Sequence, residues 1–110
     1  MNNYMITIEE IASWFRSKDR TLETAGIILA GIHERPGTNK PSAFADFDTD
    51  LRIGRISVWV SGESDFEVLR RSDGKHVFFR HEESFAIGAP SLENAFNAFV
   101  ESMKYPDDKA

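Results

Sequence analysis

Two runs of alternating apolar and polar residues, Asp65 to Arg71 and His76 to Glu82, are joined by Ser72-Asp73-Gly74-Lys75. An Asp-Gly pair between such runs is among the strongest local signals for a β-hairpin. It also permits the register to be argued. A two-residue Asp73-Gly74 loop pairs Ser72 with Lys75, and counting outward sets Leu69 against Phe78, Val68 against Phe79, Glu67 against Arg80 and Phe66 against His81. Apolar meets apolar twice, and Glu67 meets an opposite charge. A three-residue loop would set Glu67 against Phe79 and Phe66 against Arg80, a poorer chemical match, so the two-residue register is the expectation.

The rest of the chain extends this hairpin into a sheet. Leu51 to Val60 reads as the preceding strand, joined through the turn Ser61-Gly62-Glu63-Ser64, and Ser42 to Asp48 as the one before, with Phe44 and Phe47 on opposite faces. The continuous apolar run Gly26 to Ile32 reads as a buried strand ending near Arg35, where Pro36 to Pro41 supplies loop chemistry. Thr7-Ile8-Glu9-Glu10 is a capping box followed by apolar residues at helical spacing, which predicts a helix over 8–18 that extends or restarts through Thr21–Thr24. Pro90-Ser91-Leu92 opens a last helix, with Ser91 as N-cap and Leu92, Ala95, Phe96, Phe99 and Met103 as its buried stripe. Pro106 stops it, and 106–110 is expected to fray. The order α-β-β-β-β-β-α predicts one α+β domain over 1–110, a mainly antiparallel meander with an N-terminal and a C-terminal helix on one face. That face carries Ile56, Val58, Val60, Phe66, Val68, Val77 and Phe79.

Composition narrows the function classes. Of 110 residues, 41% are hydrophobic and 28% charged, an ordinary globular balance that leaves room for one core. The chain has no cysteine, which excludes disulfides, thiolate metal sites and a thiol nucleophile, and fits the cytosol. The N-terminus has neither a basic segment nor the long apolar stretch of a secretory signal, and no apolar run approaches the ~20 residues of a membrane helix. A cytoplasmic protein without membrane contact is expected. A formal net charge of -5 disfavours binding to a phosphate backbone, even with Phe78-Phe79-Arg80 placing aromatics beside a cation. It suits either a basic protein partner or simple solubility.

Catalytic and metal constellations are missing from the pattern. Asp46-Phe47-Asp48-Thr49-Asp50 begins like a calcium loop, but the sixth position is Leu51 instead of glycine and the twelfth is Ser57 instead of glutamate. A regular strand would send His76 and His81 to opposite faces, so they share no metal. Ser61 lies in no nucleophile elbow. Asp65 and Glu67 share a strand face, yet a hairpin gives neither the burial that raises a carboxyl pKa. No catalytic residue, metal ligand or cofactor is expected.

What stands out is the second sheet face, where Trp59, Leu69 and Phe78 lie among Asp65, Glu67 and Arg80. Aromatics ringed by charge have the composition of a recognition patch, unless helix one, a homodimer mate or the Pro36–Ser42 loop covers them. The stretch Ile53-Gly54-Arg55-Ile56-Ser57-Val58-Trp59, then Ser61-Gly62, Asp65-Phe66-Glu67-Val68-Leu69, Gly74, Val77-Phe78 and His81 resembles the TriTu family of immunity proteins of bacterial polymorphic-toxin systems. The second turn departs from that pattern, with Ser72-Asp73-Gly74 where Thr-Gly is expected. The resemblance implies a small cytoplasmic protein that binds and neutralises a toxin, and brings no enzymatic residues; the acidic net charge adds the expectation of a basic toxin surface. Trp59, Glu63, Asp65, Glu67, Phe78 and Arg80 are the candidate partner-binding residues. Two other readings are a small-molecule or regulatory module with a pocket lined by Phe44, Trp59 and Phe78, and a hydrolase using Asp46, Asp48 or His81.

Overall fold

The computed structural model describes residues 6–37, 39–83 and 86–104. The capping box forms as read: the Glu10 backbone N–H donates to the Thr7 hydroxyl at 3.1 Å, and the Thr7 N–H donates to Glu10 Oε1 at 2.8 Å. Both bonds satisfy donors that a first helical turn leaves without partners, and α1 (Ile8–Ser17) starts there. The chain restarts at once as α2 (Asp19–Ala25), which Gly26 ends at φ 75°, a left-handed cap that costs glycine no Cβ clash. The C-terminal helix α3 (Pro90–Lys104) has Pro90 at its first helical position, where a missing N–H costs nothing. Ser91 therefore lies inside the first turn and is not the N-cap. The expected tail at 106–110, with its stop at Pro106, lies outside the described residues.

Between the helices run β1 (Ile28–Arg35), β2 (Ser42–Asp48), β3 (Arg52–Trp59), β4 (Ser64–Arg70) and β5 (His76–Glu82), antiparallel throughout and in sheet order β1-β2-β3-β4-β5. This is the α+β meander the pattern predicts, with the N-terminal helix in two pieces. The helices cover one face only, burying Ala43, Ala45 and Phe47 of β2, Ile56 and Val58 of β3, and Phe66 and Val68 of β4. Phe99 of α3 meets Phe47 edge-on at 5.1 Å and Phe66 at 6.2 Å, and Phe96 meets Trp14 of α1 at 5.5 Å. The Lys18 ammonium bonds Glu93 at 2.6 Å and lies over the Trp14 and Phe96 rings, tying the α1–α2 junction to the start of α3. At the other end of α3 the buried Arg52 donates to the Ser102 carbonyl at 2.6 Å, satisfying an acceptor of the last turn. Gly54 lies directly beneath α3, where a Cβ would come within 2.6 Å of Phe99 and 2.7 Å of Met103.

Two further expectations change. The apolar run before Arg35 is not a fully buried strand. As the edge of a sheet covered on one side, β1 buries little of itself: Ile28 is 66% exposed, while Leu29 and Ile32 lean on the core.

The β4–β5 register is also not the predicted one. Glu67 lies opposite Phe79, Val68 opposite Phe78 and Phe66 opposite Arg80. A two-residue I′ turn needs positive φ at both central residues, but among the described residues only glycines have it. Gly74 (φ 72°) takes that conformation and Asp73 does not. Instead the Arg70 N–H donates to the Lys75 carbonyl and the Gly74 N–H to the Arg70 carbonyl, closing a wider loop. Asp73 braces it by accepting the Lys75 N–H at 3.0 Å, the bond that chiefly holds its carboxyl below the ordinary range. A bulge follows, with Leu69 opposite His76 but Val68 opposite Phe78, so Val77 is the extra residue. One residue of slip turns over most of β5. Phe78 and Arg80 face the helix side, and Phe79, 58% exposed, faces away.

Candidate functional site

The sheet face without helices is assembled by strand alternation, odd positions of β3 and β4 and even positions of β2 sharing it. Cross-strand rows can be read directly. One runs His33, Phe44, Ser57, Asp65, His81; the next runs Gly31, Asp46, Arg55, Glu67, Phe79. Trp59 ends β3 on the same face, partly exposed, beside the turn that carries Glu63. That turn is closed by the Trp59 N–H donating to the Glu63 carbonyl, with Gly62 at φ 104°.

Charge on this face is arranged in pairs. The Arg55 guanidinium lies over the Phe44 ring at 4.3 Å and bonds both Asp46 oxygens, at 2.7 and 3.3 Å. The Asp46 bond is the main cause holding Arg55 even more firmly protonated than usual, with Glu67 adding to it. Lys40 bonds Glu63 at 2.7 Å and thereby lowers the Glu63 carboxyl pKa. The chain's three histidines all lie here. His33 stacks on Phe44 at 4.8 Å with Asp46 at 3.6 Å, His76 meets Glu67 at 3.0 Å, and His81 meets Asp65 at 2.6 Å and Glu83 at 2.9 Å. The bond to Asp65 is the leading cause that raises the His81 pKa. The parity rule that would send His76 and His81 to opposite faces fails because the Val77 bulge lies between them.

Of the candidate residues, the structure brings together Trp59, Glu63, Asp65 and Glu67. It removes Phe78, which packs against the core, and Arg80, which pairs with Glu82 on the helix side. Phe79, His81, Phe44 and Arg55 belong to the face but are not among the candidate partner-binding residues read from the sequence. The signal for Phe79 and His81 was present, since Asp65 opposite His81 is as good a cross-strand pair as Glu67 opposite Arg80.

The pocket expected from Phe44, Trp59 and Phe78 does not assemble, because Phe78 is on the other side. A shallow cleft of about 250 Å³ remains, lined by Phe44, Trp59, Ser42, Ser57, Arg35, Lys40 and Arg55. A larger depression, about 570 Å³, lies at the far end of the sheet between the β2–β3 turn and the end of α3, away from these aromatics. Asp46 and Asp48 are engaged by Arg55 and Arg71. With β2 and β5 three strand spacings apart, about 14 Å, neither aspartate reaches His81 to form a hydrolytic pair. Among the described residues no helix is long and apolar enough to cross a membrane.

Comparison with known proteins gives one family. The family model described as Immunity protein TriTu matches residues 9–102, from the first turn of α1 to the last turn of α3. No curated protein matches the chain.

Proposed function

Because the chain belongs to the TriTu family of immunity proteins, we propose that it binds and neutralises a cognate bacterial toxin in the cytoplasm, without catalysis, through its uncovered sheet face. The observation that carries this reading is the division of one sheet into a sealed face and an open one bearing Trp59 and Phe79 among paired charges. Trp59, Glu63, Asp65 and Glu67 are the proposed contacts, with Phe79 in the place first given to Phe78. Rigid aromatics offer large contact area at small entropic cost, and carboxylates beside them steer a partner carrying basic groups.

Expression of a toxin encoded beside this gene, with and without the protein, tests the reading. Growth should be restored by the wild type and lost with Trp59→Ala combined with Phe79→Ala, at unchanged protein level. If neither rescue nor a captured toxin is found, the immunity reading gives way to that of a small-molecule module using the Phe44/Trp59 cleft.

A further inference from the structure

We infer that the cleft between Arg35, Lys40 and Trp59 is a subsite for a carboxylate side chain of the toxin, so that the surface it recognises is charge-mixed and not uniformly basic. The inference rests on the immunity reading and deepens it. Three cationic residues line the cleft and, among the described residues, no carboxylate does. Asp46 and Glu63 reach Arg55 and Lys40 from outside that lining.

Arg55 is held in place before any partner arrives, stacked on Phe44 at 4.3 Å and clamped by Asp46. A guanidinium has five donors, of which Asp46 takes two. With 47% of its side chain exposed, Arg55 can offer others to a newcomer. Lys40, equally exposed at 47%, lines the same cleft, as do Ser42 and Ser57. A carboxylate accepts several such bonds at once. Phe44 and Trp59 would take its methylenes and keep water from the bonds.

Size separates a side chain from a free ligand. The volume of about 250 Å³ accommodates one side chain and falls below the ~300–1,000 Å³ usual for small-molecule sites. The other half of the face presents Glu63, Asp65 and Glu67, with His76 and His81 as partners. A toxin surface matching both halves therefore sets a carboxylate beside basic groups.

The test needs no toxin. Acetyl-Phe-Glu-amide and acetyl-Phe-Gln-amide are titrated into the full chain at low salt, and the Trp59 indole N–H and Arg55 Nε–H signals are followed by NMR. The Glu peptide should shift both signals saturably, and the Gln peptide should bind about tenfold more weakly, the worth of one charge-assisted bond. Arg35→Gln with Lys40→Gln should abolish that preference while leaving the rest of the spectrum in place. Equal binding of the two peptides, or shifts confined to β4 and β5, would overturn the subsite. So would adenosine monophosphate binding more tightly than the Glu peptide, which would assign the cleft to a small anion. Failure of the peptides alongside growth rescue by the protein removes only the subsite. Peptide binding without rescue keeps the carboxylate site and removes the toxin from it.

Discussion

The two faces of the sheet are written in the same strands, residue by residue, yet they are different kinds of surface. On the covered side Ile56, Val58, Phe66 and Val68 are fully buried within the apolar core cluster beneath the helices. On the other side their immediate neighbours Arg55, Ser57, Asp65 and Glu67 stay at least partly exposed, and Arg55, Asp65 and Glu67 are matched by groups that carry or can take up the opposite charge. Burial of apolar area stabilises by roughly 25 cal/mol per Å², whereas an exposed ion pair contributes ~0–1 kcal/mol. Stability is thus concentrated on one face, and the other can vary with its partner at little cost to the fold.

Substitutions should separate accordingly. Phe99→Ala removes the ring between Phe47 and Phe66 and should cost about 3–5 kcal/mol in urea unfolding. A loss under ~1 kcal/mol would mean that α3 is not docked as described. Gly54→Ala should cost about 1–3 kcal/mol, since its Cβ meets Phe99 and Met103 well inside contact distance. Toxin affinity per folded molecule should not change, placing this glycine of the family-like stretch with packing and not with recognition. Weakened affinity at full folding would blur the division.

Ser64→Ala should leave stability within ~0.5 kcal/mol of wild type or raise it, because the Ser64 hydroxyl is buried with no hydrogen-bond partner among the described residues. On the open face the smallest effect is a titration. His81 should titrate above 6.5, and Asp65→Asn should bring it down. Because its folded pKa is raised, the stabilisation His81 adds is complete below about 6.5 and disappears as pH rises through the folded value. An NMR titration with His81 at or below 6.5 would show that the Asp65 bond does not persist in solution.

Much of the fold is legible in the sequence because its signals are local. The capping box at Thr7, the helical stripe of α3 and the strand limits at His76 and Glu82 depend on near neighbours, and each stands where the pattern places it. The open face was read only in part. Trp59, Asp65 and Glu67 follow from simple alternation along β3 and β4. Phe78, Phe79, Arg80 and His81 depend on how one turn closes and on a bulge at Val77, and neither is visible in a binary pattern. Asp73-Gly74 suggested an I′ turn; the Asp73 side chain, by bonding the Lys75 N–H, built a different one. Ranking registers by two apolar pairs and by Glu67 with Arg80 leaves out the two histidines, whose carboxylate partners favour the register that forms.

The division of labour between the faces is tested most directly by Asp65→Lys combined with Glu67→Lys, measured for toxin association, growth rescue and urea unfolding on the same preparation. Both side chains point away from the core, so the unfolding free energy should stay within ~1 kcal/mol of wild type. Association should slow more than dissociation quickens, the difference should shrink in high salt, and rescue should fail. A folded double variant that protects cells as well as wild type would contradict the assignment of recognition to this face.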